Sequence, residues 1–190
     1  MNKSIIIYTT LAILLAGCTS KSNFYQLSPI NHTSYKRVIK KDKVIVIAPV
    51  EVADYLDKPQ IITRLDDQRV VVNELDRWAG SIDKNIQSVI KTNLAVKMPK
   101  YTILSKPLSE PIDGKYTLYI HIDKFDGDIN GSVVLDGRWS LVYEDENSFI
   151  KGKEFHYHTQ GVQTLIGVIK SESKLLDRLS SDIAQNIYKK

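Results

Sequence analysis

Strand, helix, strand, antiparallel meander and helix follow one another along this 190-residue chain. That order predicts an α/β fold, a single α/β sandwich domain with one mixed β-sheet and two principal helices. Three observations carry the prediction. The run Val44-Ile45-Val46-Ile47-Ala48 is apolar and mostly β-branched, the mark of a strand buried on both faces. Two segments, one beginning near Ser81 and one ending near Tyr188, repeat apolar residues at helical spacing along a single stripe. Between them, three long runs separated by turn-forming residues make an antiparallel meander.

Ahead of the first buried strand, residues 18–43 are polar and read as a tether with one short extended piece, Phe24-Tyr25-Gln26-Leu27. Pro29 biases Ser28 to an extended conformation. Pro49 closes the strand over 44–48, and residues 60–64 and 69–73 read as two short strands joined at the turn-prone Asp66-Asp67. Residues 73–80 then form an irregular polar stretch around Trp78. Ser81 is placed to cap a helix in which Ile82, Ile86, Val89, Ile90 and Leu94 share one face, and Pro99 marks its end. A short strand over 101–104 and a loop over 106–113 with two prolines lead into the sheet-rich half.

There, Tyr116, Leu118, Ile120 and Ile122 alternate with Thr117, Tyr119, His121 and Asp123, which puts four largely apolar side chains on one strand face. Asp126-Gly127 and Asn130-Gly131 are turn signals, and a second long strand covers 132–143. The acidic turn 144–147 leads into a third, over 148–159. In the closing segment 162–188, Leu176, Leu179, Ile183 and Ile187 form a stripe that Glu172 interrupts, so its packed part is expected to begin near Leu175. With one apolar stripe each, both helices are expected to lie on the sheet.

The first seventeen residues read as a targeting segment. Lys3 supplies a positive start, residues 5–15 an apolar run too short for a comfortable membrane span, and Ala16-Gly17 the small side chains a signal peptidase needs. Cys18, the only cysteine, follows at once, and Leu15-Ala16-Gly17-Cys18 resembles the lipobox of bacterial lipoproteins, in which the cysteine thiol takes a diacylglycerol. Two or more acyl chains make such an attachment stable. Thr19 rather than Asp follows the cysteine, so by that resemblance the protein is expected in the outer membrane, lipid-anchored and facing the periplasm. The division expected is a signal peptide over 1–17, a lipidated N-terminus and tether over 18–43, and one α/β domain over 44–190. Hydrophobic residues at 43% and charged ones at 25% suit such a soluble, tethered domain. With Cys18 carrying lipid, no disulfide and no cysteine zinc site can form. The net charge of +4 is modest, and Lys36, Arg37, Lys40, Lys41 and Lys43 gather just before the first buried strand, where they read as a solvated linker or as a surface attracted to anionic headgroups or an acidic partner. The export signal excludes nucleic acid as a partner.

No catalytic constellation emerges: there is no Gly-x-Ser-x-Gly elbow, no phosphate-cradling glycine loop and no His-Glu-x-x-His pair. His156 and His158 share one strand face but lack a third ligand nearby, and Asp123, Asp126 and Asp128 lack calcium-loop spacing, so no metal is expected. Trp139 in mid-strand reads as core. Trp78, beside Arg77 in a polar stretch, reads either as a lid over the first helix or as an interface anchor.

Taken in order, the lipobox, Tyr25-Gln26-Leu27-Ser28-Pro29, Val46-Ile47-Ala48-Pro49-Val50, Tyr55-Leu56-Asp57-Lys58-Pro59-Gln60-Ile61, Arg77-Trp78-Ala79 and the closing Leu176-Asp177-Arg178-Leu179-Ser180-Ser181-Asp182-Ile183-Ala184 resemble the ABC-type transport auxiliary lipoproteins, the PqiC (YmbA) family. One departure is Gly80-Ser81-Ile82, where a proline-containing Trp-Ala-x-Pro-Leu is common. The resemblance implies a non-enzymatic component of an envelope lipid-transport system, with no cofactor beyond the lipid on Cys18. It implies docking to an MCE-type tunnel protein whose inner-membrane partner completes the path, and a ring-like homo-oligomer fits that role. On this reading Arg77, Trp78, Tyr55 and Ile61 are the expected partner-binding residues. The competing expectation is an outer-membrane lipoprotein that regulates a peptidoglycan synthase or another envelope complex. A tether of about 25 residues spans roughly 25–30 Å as a coil, which favours work close to the membrane.

Overall fold

A computed structural model describes residues 21–30, 43–107, 116–128, 131–144, 148–160 and 164–188. Among these, nine strands and two helices follow in the order β1 (Asn23–Tyr25), β2 (Val44–Ile47), β3 (Glu51–Val52), β4 (Gln60–Arg64), β5 (Val70–Trp78), α1 (Ile82–Lys97), β6 (Thr102–Ser105), β7 (Tyr116–Gly127), β8 (Ser132–Tyr143), β9 (Ser148–Gln160) and α2 (Leu165–Tyr188). The expected α/β architecture of mixed sheet, meander and two helices is the one observed. It is divided between two sheets rather than built on one: β6-β2-β7-β8-β9, with β3 on β7, and a smaller β1-β5-β4.

Every residue of β2 is buried, as its continuous apolar run requires, and it sits between β6 and β7 with both pairings parallel. The meander β7-β8-β9 is antiparallel. Its inner face alternates until β7 inserts one residue between Ile122 and Lys124, opposite Gly137. That bulge moves the inward set from Leu118, Ile120 and Ile122 to Phe125 and Gly127. Gly137 is required there, because a Cβ would stand 2.1 Å from the His121 carbonyl oxygen and 2.9 Å from Phe155 Cζ.

The two helices pack on each other and on the large sheet, α1 beside β6 and α2 across β7, β8 and β9. Ile86, Ile90, Leu94, Leu176, Leu179 and Ile183 are fully buried, each contributing about 1.5–3 kcal/mol through apolar burial. Gln87 is the polar tie in this layer: its side-chain amide donates to the carbonyls of Ile47, Ala48 and Lys106 at 3.3, 2.8 and 3.1 Å. It thereby satisfies backbone acceptors where β2 and β6 end. Ser81 occupies the N-cap of α1 with extended backbone, but its side chain accepts no capping bond. Asn85 works beside it, accepting from the Leu27 amide at 2.8 Å and donating to the Leu27 carbonyl. No helix among the described residues is long and apolar enough to cross a membrane.

Several expectations are corrected. The folded body begins ahead of Val44, because β1 pairs in parallel with β5 and Leu27 is buried in the core at 3% exposure. The Tyr25 hydroxyl and the Asn23 amide both donate to Asp76, at 3.0 and 2.9 Å, which fastens this short edge strand. Residues 73–78 continue β5 instead of forming irregular chain, since β4 and β1 supply hydrogen-bond partners on its two sides. Asp126 and Gly127 belong to β7, with Asp126 buried, and the turn follows them. The packed part of α2 begins at Gly167, eight residues before Leu175, and includes Glu172 itself. The signal peptide, Cys18, the basic residues 36–41, most of the 106–113 loop and most of the 144–147 turn lie outside the described residues.

Leu27 tests the first of these corrections. Leu27→Ala should lower the unfolding free energy by about 2–4 kcal/mol, the cost of a cavity in a packed core, read from urea denaturation. A loss below about 0.5 kcal/mol, as at an unpacked surface position, would contradict it.

Candidate functional site

The strand pair β4–β5 stands out as an arm whose root and tip differ sharply. At the root, Ile61 and Thr63 of β4 are buried, and Asn73 donates through its amide to the Ile61 carbonyl and to Thr63 Oγ1. Towards the turn, Leu65, Val70, Val71 and Val72 are 54, 40, 40 and 39% exposed. Alternate residues point to opposite faces of a strand, so Val71 lies on one face and Val70 and Val72 on the other. Beyond β1, which covers only Asp76 to Trp78, β5 has a side with no strand partner among the described residues. Apolar side chains on both faces beside an open strand edge are the features a docking partner covers.

Arg64 fixes this arm to the body. Its Nε and Nη2 donate to Asp126 Oδ1 and Oδ2 of β7 at 2.6 and 2.8 Å, a bidentate pair with the carboxylate 1% exposed. Its Nη1 reaches the carbonyls of Asp66 and Asp67 in the arm's own turn, at 3.3 Å each. The Tyr55 hydroxyl donates to Asp126 Oδ2 at 2.5 Å. Burial, then the bond to Asp126, pushes the Tyr55 phenol well above its ordinary range. The bond to Asp126 holds the Arg64 guanidinium firmly protonated. At the turn, Asp66 accepts from Arg69 Nε at 2.6 Å and from the Gln68 and Arg69 amides. The Arg69 bond and those amides draw the Asp66 carboxyl below its ordinary value.

Glu172 of α2 lies fully buried beside this cluster, and its Oε2 has no hydrogen-bond partner. Desolvation, reinforced by the negative charge of Asp126, pushes its carboxyl up to about 8. Near neutrality it is therefore held in its neutral form, an acid packed as an uncharged core group.

The four residues expected to touch a partner fare differently. Ile61 is fully buried and Trp78 is 8% exposed; both pack in the core cluster at the arm's root, so a direct contact role is corrected for them. Of the two readings of Trp78, the packed one holds, since the residue is 8% exposed within the core cluster. Tyr55 is half-buried and committed to Asp126. Arg77 is half-exposed, its Nε donating to the Glu74 carbonyl at 3.3 Å, and it alone of the four leaves a charged head available at the surface. The four residues lie on and around the β4–β5 pair, while Arg64, Asp126 and Glu172, which meet beside it, were not among those expected to matter. Glu172 had a visible signal: an acid interrupting an apolar stripe implies either a break in packing or a buried carboxyl.

The other candidate residues have ordinary roles. His156 Nδ1 meets Asp136 Oδ1 at 2.5 Å, and His121 lies between Glu51 and Asp123 at 3.0 Å from each. No cluster of three metal-ligating side chains occurs among the described residues. Trp139 is a core residue at 2% exposure.

Glu172 generates a pH prediction. Its folded value lies above its ordinary one, so the unfolded chain releases this proton first as pH rises. Stability is fully present in acid and declines between about 4.5 and about 8, at up to about 1.4 kcal/mol per pH unit. Glu172→Gln, nearly isosteric with the neutral acid, should flatten that decline, so urea midpoints at pH 5 and pH 8 should differ less in the variant. Equal pH dependence in both proteins would refute the assignment.

Comparison with known proteins agrees with this architecture. The chain is 26% identical over 185 residues to the intermembrane transport lipoprotein PqiC of Escherichia coli (strain K12), covering 94% of this chain and 95% of that one. The PqiC of Shigella flexneri gives the same figures. A crystal structure of an uncharacterized protein shares the fold at a TM-score of 0.73, with 21% identity over 88% of this chain and 99% of its own. Protein XCC0632 from Xanthomonas campestris follows at 0.66, with 14% identity over 86 and 93%. Residues 25–184 match the family described as the ABC-type transport auxiliary lipoprotein component, and the chain belongs to that family.

Proposed function

We propose that this protein is an outer-membrane-anchored, non-catalytic component of an envelope lipid-transport system, and that its β4–β5 arm docks an MCE-type tunnel protein. The carrying observation is the arm itself: apolar on both faces, open along one strand edge, and fastened near its turn to β7 of the body by the Arg64–Asp126 pair. Family membership supports transport as the setting, and the name of the Escherichia coli relative supports movement between membranes.

Cys18 supplies the anchor in this reading. Only four residues separate it from Asn23 of β1, a reach of at most about 17 Å for extended chain. That is shorter than the 18–43 tether read from sequence, because β1 belongs to the domain. A domain so close to the membrane cannot search across the periplasm, so the partner has to come to it. High local concentration at the membrane then allows modest affinity per contact. The tunnel protein and its inner-membrane partner complete the path, and a ring of several copies would present several arms at once.

Val71→Asp should abolish co-purification of the MCE protein with the lipidated chain while leaving the urea midpoint within about 0.5 kcal/mol of the parent, as befits an exposed site. Unchanged co-purification would sink the arm as the docking element. Co-purification of a peptidoglycan synthase instead would favour the competing function.

A further inference from the structure

A second exposed surface lies where the N-terminal segment crosses the start of α2. Tyr25, Pro29 and Ile30 form one wall of a groove of about 490 Å³, and Ile166, Lys170 and Lys174 form the other. Ile30 is 45% and Ile166 55% exposed. Ile166, Lys170 and Lys174 recur every four residues, so they line one stripe of the helix, and all three are exposed. The groove lining includes two lysines and no acid. Neither lysine forms an ion pair among the described residues. The nearest acid along the helix, Glu172, is buried on the opposite side and held neutral.

We infer that this groove is the face the domain lays against the bilayer, with Ile30 and Ile166 in the interfacial layer and Lys170 and Lys174 on anionic lipid phosphates. The inference rests on the proposed anchoring through Cys18 and adds the orientation that anchoring leaves open. Two features select a membrane as the occupant. Tyr25 is only seven residues from Cys18, so the groove lies within roughly 25 Å of the lipid whatever path that segment takes. Its composition, exposed aliphatics flanked by unpaired lysines, is that of surfaces that settle about 5–10 Å into headgroups and gain further from each cation near an anionic leaflet. Phe24, 65% exposed and six residues from Cys18, lies equally near the lipid, whereas the exposed apolar residues of the β8–β9 end are remote from it. Phe149 and Ile150 lie at the far end of α2, where Ile150 shares a groove with Asn186 and Ile187, about 30 Å from Ile166 along the helix. With the groove on the bilayer, that far end points into the periplasm.

The test uses the full lipidated chain in vesicles of phosphatidylethanolamine and phosphatidylglycerol carrying nitroxide lipids, with a thiol-reactive fluorophore at Ile166→Cys, Lys174→Cys or Phe149→Cys. The labels at 166 and 174 should lose roughly half their emission, as expected for groups within the interfacial layer, and the label at 149 almost none. Replacing phosphatidylglycerol by phosphatidylcholine should weaken the quenching at 174. Two results would overturn the inference: quenching at 149 with none at 166 and 174, or self-quenching between labels at 166 without lipid quenching, which would assign the groove to a second copy. The parent chain is the separate check on anchoring, because Cys18 in a thioether takes up no fluorophore. Labelling of the parent would overturn the anchor, and the inference with it.

Discussion

The bidentate pair between Arg64 and Asp126 is the constraint on which the rest of the site depends. It joins the small sheet to β7 of the large one, and through the Asp66 and Asp67 carbonyls it also shapes the arm's turn. Two parallel charge-assisted bonds fix direction as well as distance. Removing one partner of such a buried pair costs about 3–5 kcal/mol, because the other is left charged and unpaired. Glu172 brings a second carboxyl to the same buried place, and burial, then the negative charge of Asp126, pushes that carboxyl up towards its neutral form.

The helices and large sheet provide the frame in which this pair sits. The bulge after Ile122 puts Phe125 and Gly127 on the inner face and so turns Asp126 to the opposite face, where it meets Arg64, and the bulge is possible because Gly137 opposite it has no side chain. Further out, α2 is tied to β9 by the Tyr157 hydroxyl, which donates to Asp182 at 2.5 Å, and by Lys153 on the same carboxylate. These two partners draw the Asp182 carboxyl below its ordinary range. Glu172 is therefore held in place from both ends of its helix, by the Leu176 and Leu179 packing on one side and by Val168 and Ile169 on the other.

Local pattern made much of the fold readable. β2, β4 and β8 fall where β-branched runs and turn residues placed them, and the stripes of α1 and α2 lie on the buried side. What was not readable depends on partners distant in sequence. Residues 73–78 show no clean alternation because β5 is exposed on both faces over much of its length, and only pairing with β1 and β4 makes them a strand. Asp126-Gly127 has the composition of a turn, and nothing nearby announces that Arg64, 62 residues earlier, will pair with it. Leu27 reads as the end of a short extended piece in a tether, and what makes it part of the domain is remote in sequence: Asn85 bonds both of its backbone groups. At the candidate site, Ile61, Arg77 and Trp78 lie on β4 and β5 themselves and Tyr55 bonds the Asp126 that holds Arg64. The arm's exposed residues, Leu65 and Val70 to Val72, were read only as parts of a strand and its turn.

On the proposed reading, a short anchor segment, a domain committed to packing, and one apolar arm would make a protein that holds a position and waits to be engaged. The lipid would give location, the arm recognition, and the buried Arg64–Asp126–Glu172 cluster the stiffness that lets contact at the tip act on the whole domain. The most direct measurement is photocrosslinking in intact cells from a photoreactive residue placed at Val71, with the captured protein identified by mass spectrometry. The account predicts an MCE-domain protein, captured from Val71 and not from Phe149. Capture of a peptidoglycan synthase, or of the MCE protein from Phe149 alone, would contradict it.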